Sequence, residues 1–444
     1  MTLIFYYNKI YIPLHLNIFM VPKELLHTVV LDQLAECKLA AMTVKREMLE
    51  RIAVKTTARA LIIKGVRRCG KSTALKQLMA ERFKGKFFYL NFDDERLIGF
   101  EADDFQKLME VFIELFGNRP AIFLDEIQNV RGWELFVNRL LREGRNVFIT
   151  GSNANLLSRE LGTHLTGRHL DYELYPFSFS EYLALRGVDL PRQAASTSQK
   201  TLLLKEFKKY MEEGGMPEAA ISRNPAVLGQ TIEDIVQKDI IRRYSVRKPN
   251  ELRGVLRFLI ANASNKITFN SICDNFRIKS PVTAQNYVNY AEDTCLIFTV
   301  RKYERKIKLL DKNPKKLYCI DNGIIARHSS GAIQQMGALL ENLVAVELKR
   351  RNCFFYYYMN KNGSETDFAI LAEETPKKIT QVLQACLDPS DVLTMQREEK
   401  ALLSTLNETG LSEGLVVTLD FEETKKKEGK AIRYVPAWKW LLEG

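Results

Sequence analysis

Residues 60–73 of the 444-residue chain are ALIIKGVRRCGKST, and this stretch decides the fold of the first third. The opening ALII is apolar and predicts a buried strand, whereas STALKQLMAERF, beginning at Ser72, predicts a helix. Between them, GVRRCGKS satisfies GxxxxGK[ST] in the strand–loop–helix context that a P-loop requires. The sequence therefore predicts a phosphate-binding loop.

Each part of this loop has a role in binding ATP with Mg²⁺. Glycines let backbone amides face the β-phosphate, and the following helix directs its positive N-terminus at the same anion. We expect Lys71 to contact the β- and γ-phosphates, Ser72 to ligate Mg²⁺, and Thr73 to approach the α-phosphate. The predicted nucleotide-binding residues are Gly65, Arg67, Arg68, Cys69, Gly70, Lys71, Ser72 and Thr73. The Cys69 thiol is either open to alkylation or buried and inert.

The second half of such a site is an apolar strand that ends in acids, and AIFLDE at residues 121–126 supplies it. Asp125 is expected to hold Mg²⁺ through water, and Glu126 to act as the general base for the attacking water. The alternative is an acidic pair that only caps the strand. In NVFITGSN, Asn153 or the preceding Ser152 either orients the water or caps a helix.

Strands and helices alternate through the first 175 residues, which predicts an α/β domain with a parallel sheet covered on both faces. After Tyr175 the pattern becomes mostly helical. Residues 251–304 predict three helices followed by a strand, the order of a helix-turn-helix with a wing. The last third mixes the helix GALLENLVAVELKRR with the strands FFYYYM, TDFAIL and ITQVLQA, so it forms an α/β domain of its own.

Composition limits the function classes. The formal charge of +11 favours polyanionic partners such as nucleic acid. Seven scattered cysteines without a CxxC pair argue against a disulfide framework and a structural zinc site, and indicate a reducing cytoplasm. Residues 1–19 are apolar but interrupted by Lys9, Pro13 and His15, so we expect no membrane span. Met20 opens an amphipathic helix, which suggests that residues 1–19 are an upstream extension.

Seven characteristic runs occur in the following order: GVRRCGKST, LNFDDERL, IFLDEIQNVRGWE, LTGRHLDYELYPFSFSEYL, GGMPEA, YCIDNGI and GSETDFAI. Together they resemble a family of bacterial and archaeal AAA-type ATPases that carry a C-terminal domain of unknown function. The resemblance implies an AAA-type P-loop domain, a helical lid, a winged helix and a restriction-endonuclease-like C-terminal domain. The implied division is 1–55 for an N-terminal extension and helix, then 56–175, 176–250, 251–310 and 311–444 for these four parts.

The resemblance also implies two further groups of functional residues. AAA-type enzymes often insert an arginine into a neighbouring subunit's site, and Arg168 is the candidate, although it could equally brace the lid. Restriction-endonuclease-like nucleases hold Mg²⁺ with a helix glutamate, a strand aspartate and an acid-x-lysine. The matching residues here are Glu341, Glu365, Asp367 and, in the acid's position, Gln381, followed by Leu383 where lysine is required. This departure predicts a domain that keeps the fold without nuclease chemistry.

A nucleic-acid partner is suggested by residues 301–316, RKYERKIKLLDKNPKK, which hold eight basic residues and two acidic ones. They follow the presumed recognition helix, where a wing would lie against phosphates, and Tyr287, Tyr290 and Tyr303 are interspersed. A solvated basic hairpin is the alternative. The sequence thus favours an AAA-type protein that hydrolyses ATP and is coupled to DNA, and a homo-oligomer is compatible with this interpretation. A nuclease under ATP control and a slowly hydrolysing, nucleotide-gated protein switch remain open.

Overall fold

The computed structural model describes residues 21–39, 44–52, 59–151, 167–190, 196–304, 306, 313–328, 334–373, 378–389 and 392–443. The proposed extension at residues 1–19 and the candidate Asn153 lie outside these ranges. Two helices, α1 (Lys23–Leu39) and α2 (Met48–Arg51), precede the first sheet. No helix in the described part of the chain is both long and apolar enough to cross a membrane.

The first domain is a five-stranded parallel sheet in the order β2–β3–β4–β1–β5. Its strands are β1 (Ala60–Lys64), β2 (Phe87–Asn91), β3 (Ala121–Asp125), β4 (Asn146–Gly151) and β5 (His169–Glu173). Its described helices are α3 (Lys71–Leu78, continued by a π-helical turn Met79–Phe83), α4 (Asp104–Phe116) and α5 (Trp133–Arg142). The predicted P-loop α/β fold is confirmed. The carboxyl ends of β1, β3 and β4 are adjacent, which brings the P-loop and the acids together.

Both faces of this sheet are buried. On β1, Leu61 and Ile63 pack into one hydrophobic core, and Ala60 and Ile62 pack into a second core on the opposite face. All four are fully buried, as expected for a parallel strand covered by helices on both sides. The core that contains Leu61 continues into the helical and C-terminal regions, so the P-loop side of the sheet is joined to the rest of the molecule.

A helical region, which we call the lid, follows β5. Its elements are α6 (Phe179–Leu185), α7 (Thr197–Glu213), α8 (Pro217–Ser222), α9 (Ala226–Asp234), a π-helical segment Ile235–Ile241 and α10 (Arg242–Tyr244). Capping boxes at Ser178 and Ser196 start the first two helices. The lid is anchored at Gly215, whose backbone N–H donates to the buried Asp321 carboxylate at 2.6 Å.

Three helices and a small antiparallel sheet come next. They are α11 (Pro249–Ala261), β6 (Lys266–Ile267), α12 (Phe269–Phe276), α13 (Pro281–Asp293), β7 (Ile297–Val300) and β8 (Lys315–Cys319). The strand order is β6–β8–β7. The three predicted helices and the strand after them are thus present, and β6 between the first two helices was not predicted.

The C-terminal domain is a mixed six-stranded sheet with helices. Its elements are α14 (Asn322–His328), α15 (Gln334–Arg350), β9 (Phe354–Met359), β10 (Glu365–Leu371), β11 (Ile379–Cys386), α16 (Val392–Thr409), β12 (Glu413–Thr418), β13 (Glu423–Lys427), β14 (Lys430–Pro436) and α17 (Ala437–Leu442). The strand order is β13–β14–β12–β11–β10–β9. The predicted separate α/β domain is confirmed.

Candidate active site

The P-loop joins β1 to α3 through a tight backbone turn. Gly70, immediately before α3, has φ of 96°, a conformation that L side chains rarely adopt, which explains a glycine there. The buried Lys71 ammonium donates to the carbonyls of Gly65 at 3.1 Å and Val66 at 3.2 Å. Burial disfavours its charge, but electrostatic interactions with Cys69, Glu126 and Asp125 raise the pKa of Lys71 overall. A cation is therefore fixed inside the loop.

The two acids of β3 meet this cation. The Lys71 ammonium lies 3.9 Å from a Glu126 carboxylate oxygen. Glu126 has φ of 52°, the left-handed region that non-glycine residues rarely occupy, and such strain concentrates at functional sites. Gln128 donates to the second Glu126 oxygen at 2.5 Å, which orients the carboxylate.

A third polar side chain links these acids. The Thr150 hydroxyl, near the end of β4, donates to Asp125 and accepts from the Glu126 backbone N–H at 3.0 Å. We expected Asn153 or Ser152 to orient the attacking water or to cap a helix; both lie outside the described residues, so that expectation stays a prediction, and Thr150 was overlooked. The available signal was its position in the same ITGSN stretch, at the end of a strand beside the acidic strand.

The donor set fits a magnesium ion. Asp125 is fully buried, and its burial and then the charge of Glu126 raise the pKa of its carboxyl, while hydrogen bonds from Thr150 and Ser72 oppose that rise. The Ser72 hydroxyl thus lies against the Asp125 carboxylate, as expected for two residues that share one cation. Their hard oxygen atoms are the ligand type that Mg²⁺ prefers. Ser72 and Asp125 are the residues that would hold it.

The loop is braced from the N-terminal side by Arg46, which sequence reasoning missed. This side chain is 2% exposed and donates to the carbonyl oxygens of Cys69 at 2.8 Å and Tyr175 at 2.6 Å. It also pairs with Glu181 at 3.0 Å. Cys69 itself is fully buried, and this burial raises the pKa of its thiol, so the inert alternative for Cys69 is favoured over the reactive one.

The other P-loop positions divide between the nucleotide side and the lid. Thr73 is half-buried on the first turn of α3. Arg67 and Arg68 form ion pairs with lid carboxylates, Arg67 with Asp239 and Arg68 with Glu218 and Asp234. Both arginines were predicted to bind the nucleotide, and these contacts with the lid were not predicted.

Arg168 lies at the opposite end of the sheet from the P-loop of its own chain. It is exposed, and its carbonyl accepts from the Ala60 backbone N–H at 2.8 Å, beside the first residue of β1. The P-loop begins at the other end of that five-residue strand, about 16 Å away at 3.3 Å per residue. Arg168 therefore lies far from the nucleotide site of its own chain.

In the C-terminal domain the structure brings together Glu341, Glu365 and Asp367, which we call the acidic cluster. The ammonium of Lys316, on β8, lies 2.7 Å from Glu341, 2.7 Å from Glu365 and 2.9 Å from Asp367. Lys316 is 4% exposed, so this is a buried multiple ion pair. Lys266 on β6 also pairs with Glu365.

Gln381 does not belong to this cluster, and its prediction was wrong. It is exposed and pairs with Ile370, whereas Asp367 accepts at 3.0 Å from the Ala385 N–H. The residue beside Asp367 is Gln384, whose side-chain oxygen accepts from the Asp367 N–H at 3.1 Å. The neighbour of Asp367 on β11 is thus three residues further along the chain than predicted. It puts Cys386, not Leu383, two residues beyond the amide, where a nuclease requires lysine.

The charges of the acidic cluster nearly cancel. Burial and the charge of Asp367 raise the pKa of Glu341 to about 8 despite the nearby ammonium of Lys316. With Glu341 protonated, Lys316 and Lys266 balance Glu365 and Asp367. Across the described residues, no three His, Cys, Asp or Glu side chains are arranged to hold a metal ion.

The basic segment at residues 301–316 is only partly as predicted. Residues 305 and 307–312 lie outside the described part of the chain. Lys316 cannot contact phosphate, because its ammonium is buried and forms ion pairs with the acids of the acidic cluster. Tyr287 is also buried, with its hydroxyl donating to Glu251 at 3.0 Å, and Tyr290 stacks on Tyr244.

Comparison with known proteins agrees with this architecture. Residues 57–183 match the model of an AAA domain family, and residues 204–333 match a domain of unknown function, DUF8612. An uncharacterised protein of Methanocaldococcus jannaschii is 32% identical over 443 residues, covering 95% of this chain and 96% of that protein. One from Haemophilus influenzae is 33% identical over 318 residues, covering 68% and 76%.

Among solved structures, the chain is similar to AMPPCP-bound DnaA from Aquifex aeolicus, at 15% identity and a TM-score of 0.23, over 62% of this chain and 89% of that one. The match to the Methanocaldococcus jannaschii protein extends over nearly the full length of both chains. The chain belongs to the same family as that protein, a family of P-loop proteins with an AAA domain.

Proposed function

We propose that this protein binds ATP with Mg²⁺ at residues 65–73 and hydrolyses it. The observation that carries the proposal is the junction of Lys71, Asp125, Glu126 and Thr150 at the carboxyl end of the sheet. Lys71 supplies positive charge to the phosphates, and Glu126 accepts the proton of the attacking water. Thr150 fixes both acids. Bound Mg²⁺ would neutralise charge that develops on the phosphate oxygens.

The test is Mg²⁺-dependent ATP turnover of the purified full chain. Glu126→Gln should lower turnover by about 100-fold or more while ATP still binds, because only the base is removed. Lys71→Ala should lose binding as well. Glu143→Gln makes the same acid-to-amide change on a surface residue whose side chain is 44% exposed, and should leave turnover unchanged. Equal turnover in Glu126→Gln and the wild type would contradict the proposal.

Arg168 could contact a γ-phosphate only across a subunit boundary, since the P-loop of its own chain is at the far end of the sheet. We propose that Arg168 reaches the γ-phosphate of a neighbouring copy. Mixing Arg168→Ala with Glu126→Gln tests this directly. Each variant alone should be inactive, and the mixture should regain turnover because some subunit boundaries combine an intact base with an intact arginine. A mixture no more active than its components contradicts this role.

A nucleic-acid partner is favoured by the distribution of charge. Residues 242–316 contain 17 Lys and Arg and 6 Asp and Glu, a net charge of +11 that equals the charge of the whole chain. The rest of the chain is therefore electrically balanced. A single basic region on a neutral body is the electrostatic footprint of a polyanion-binding domain.

Within this region we propose a winged helix with α13 as its recognition helix. The helix order and the β6–β8–β7 sheet support this interpretation. The exposed face of α13 presents Gln285, Asn286 and Asn289, and side-chain amides are suited to reading adenine in the major groove. Exposed Lys279, two residues before α13, is suited to a phosphate contact.

The test is the salt dependence of duplex DNA binding. Lys279→Ala should lower the slope of log affinity against log salt by about 1, as loss of one phosphate contact predicts. Lys361→Ala removes an equal charge from an exposed loop of the C-terminal domain and should leave the slope unchanged. Equal slopes in both variants would contradict the DNA interface. Turnover that DNA does not change would instead favour a protein-directed switch.

The alternative of a nuclease is less well supported, because Lys316 occupies the centre of the acidic cluster. We propose that this cluster joins β8 to the C-terminal domain and does not cut nucleic acid. Incubation of the protein with DNA, ATP and either Mg²⁺ or Mn²⁺ should therefore yield no cleavage. Cleavage that is abolished by Asp367→Ala would restore the nuclease interpretation.

A further inference from the structure

Two arginines of the P-loop form ion pairs with the lid. Arg67 donates from Nε and Nη2 to both carboxylate oxygens of Asp239, at 2.8 and 3.0 Å. Arg68 donates to Glu218 at 2.8 Å and to Asp234 at 2.6 Å. All three acids belong to the lid. The loop that meets the phosphates is thus joined to the lid by ion pairs.

The Arg67–Asp239 pair is the more deeply enclosed of these contacts. Asp239 is 4% exposed and lies in the π-helical segment Ile235–Ile241. Such π-helical turns are rare and often occur at functional sites. A buried carboxylate needs a paired cation, and Arg67 provides one with two parallel hydrogen bonds. Arg68, by contrast, reaches Glu218, whose side chain is 47% exposed.

Arg67 also belongs to the same loop as Lys71, whose ammonium lies 3.9 Å from the proposed base Glu126. Hydrogen bonds from Arg67 to Asp239 and the charges of Asp239, Glu126 and Asp93 raise the pKa of Arg67. Burial and the charge of Glu126 raise the pKa of Asp93, whereas the charge of Arg67 lowers it. Because Glu126 is the proposed base for the water that attacks the γ-phosphate, the loop that carries both Lys71 and Arg67 lies beside that phosphate.

A guanidinium binds carboxylates and phosphates through the same planar fork. A γ-phosphate beside Glu126 therefore competes with Asp239 for Arg67, and it adds negative charge that repels Asp239. ADP lacks this group and leaves the pair intact. A ligand can shift a conformational equilibrium only through different affinities for its two states, and this competition supplies such a difference between ATP and ADP.

We propose that Asp239 holds Arg67 when no γ-phosphate is present, and that ATP but not ADP takes over Arg67 and releases the lid segment Ile235–Ile241. This inference rests on the proposed ATP site. It adds a lid residue to that site and a means by which the lid detects the terminal phosphate.

The test compares the affinities of a slowly hydrolysed ATP analogue and of ADP for the full chain. Arg67→Ala should weaken binding of the ATP analogue by about tenfold, the effect of losing a charged hydrogen bond, and leave ADP binding unchanged. Asp239→Asn should strengthen binding of the ATP analogue alone, because Arg67 no longer has a charged competitor. The double variant should behave as Arg67→Ala does.

Asp234→Asn is the matched control, since it removes the neighbouring Arg68 contact and should leave the ATP-to-ADP affinity ratio unchanged. Hydrogen exchange supplies a second readout. In the wild type, lid peptides covering residues 226–244 should exchange faster with the ATP analogue than with ADP, and Arg67→Ala should abolish the difference. An affinity ratio that is the same in the wild type, Arg67→Ala and Asp239→Asn would overturn the inference alone. A wild type that binds neither nucleotide would overturn the proposed function together with it.

Discussion

Replacing Lys316 by methionine should destabilise the contact between β8 and the C-terminal domain. The change removes the only ammonium that touches all three acids of the described acidic cluster, at 2.7 to 2.9 Å. Asp367 would keep the hydrogen bond from a backbone N–H, and Glu341 would keep the one from a tyrosine hydroxyl. Glu365 would keep its ion pair with Lys266. Asp367 would then be a buried carboxylate without a cation.

The expected loss is about 3–5 kcal/mol near neutral pH, the cost of removing one partner from a buried ion pair. It should shrink at pH 5, because carboxyl groups without a cation take up protons and no longer need one. Methionine preserves most of the lysine stem, so lost packing contributes little. The pH dependence separates this electrostatic account from a simple packing defect.

The assay is denaturant unfolding at pH 5 and pH 8, combined with hydrogen exchange of β10 and β11 to locate the change, because a multidomain chain need not unfold in one step. Lys315→Met is the control. It is the same substitution one residue away, where the ammonium lies 5.7 Å from the centre of the Phe269 ring, and it should cost about 1 kcal/mol or less. A loss for Lys316→Met that is equal at both pH values would refute the reasoning.

Three further predictions concern stability. Because the pKa of Glu341 is raised to about 8, its protonated form favours the folded state, and this contribution is lost as pH rises from about 4.5 towards 8; Glu341→Gln should flatten that part of the wild-type stability–pH profile. Arg46→Met should cost about 3–5 kcal/mol in denaturant unfolding and weaken ATP binding, because it leaves Glu181 buried without its cation and frees the Cys69 carbonyl. Gly214→Ala should lower the melting temperature more than Gly85→Ala, since both have positive φ but only at Gly214 would a Cβ collide with a neighbouring side chain, that of Asp321.

The parts of the fold that the sequence predicted are those written in contiguous residues. The strand, loop and helix of the P-loop follow one another within 60–83, and AIFLDE carries both acids on one strand end. Parallel alternation then requires these strand ends to share an edge of the sheet. No long-range information was needed, so the nucleotide site was accessible from pattern alone.

The missed residues all depend on long-range contacts. Arg67 and Asp239 are 172 positions apart, and Arg46 and Glu181 are 135 apart. Nothing in the local pattern around either arginine identifies its partner. Gln381 was chosen over Gln384 because the pairing of β11 with β10, which places Phe368 opposite Leu383, cannot be obtained by counting along the chain.

The two adjacent lysines of β8 bear on how this strand finds its register during folding. Alternate residues of a strand face opposite sides, so a slip by one position would turn Lys315 into the acidic cluster and satisfy its charge equally well. Charge therefore cannot distinguish the two alignments. The discrimination comes from Tyr318, whose hydroxyl donates to Glu341 at 2.8 Å and which this slip would replace with Leu317. The native alignment of β8 therefore depends on the Tyr318 hydroxyl, because the two lysines alone would permit either one.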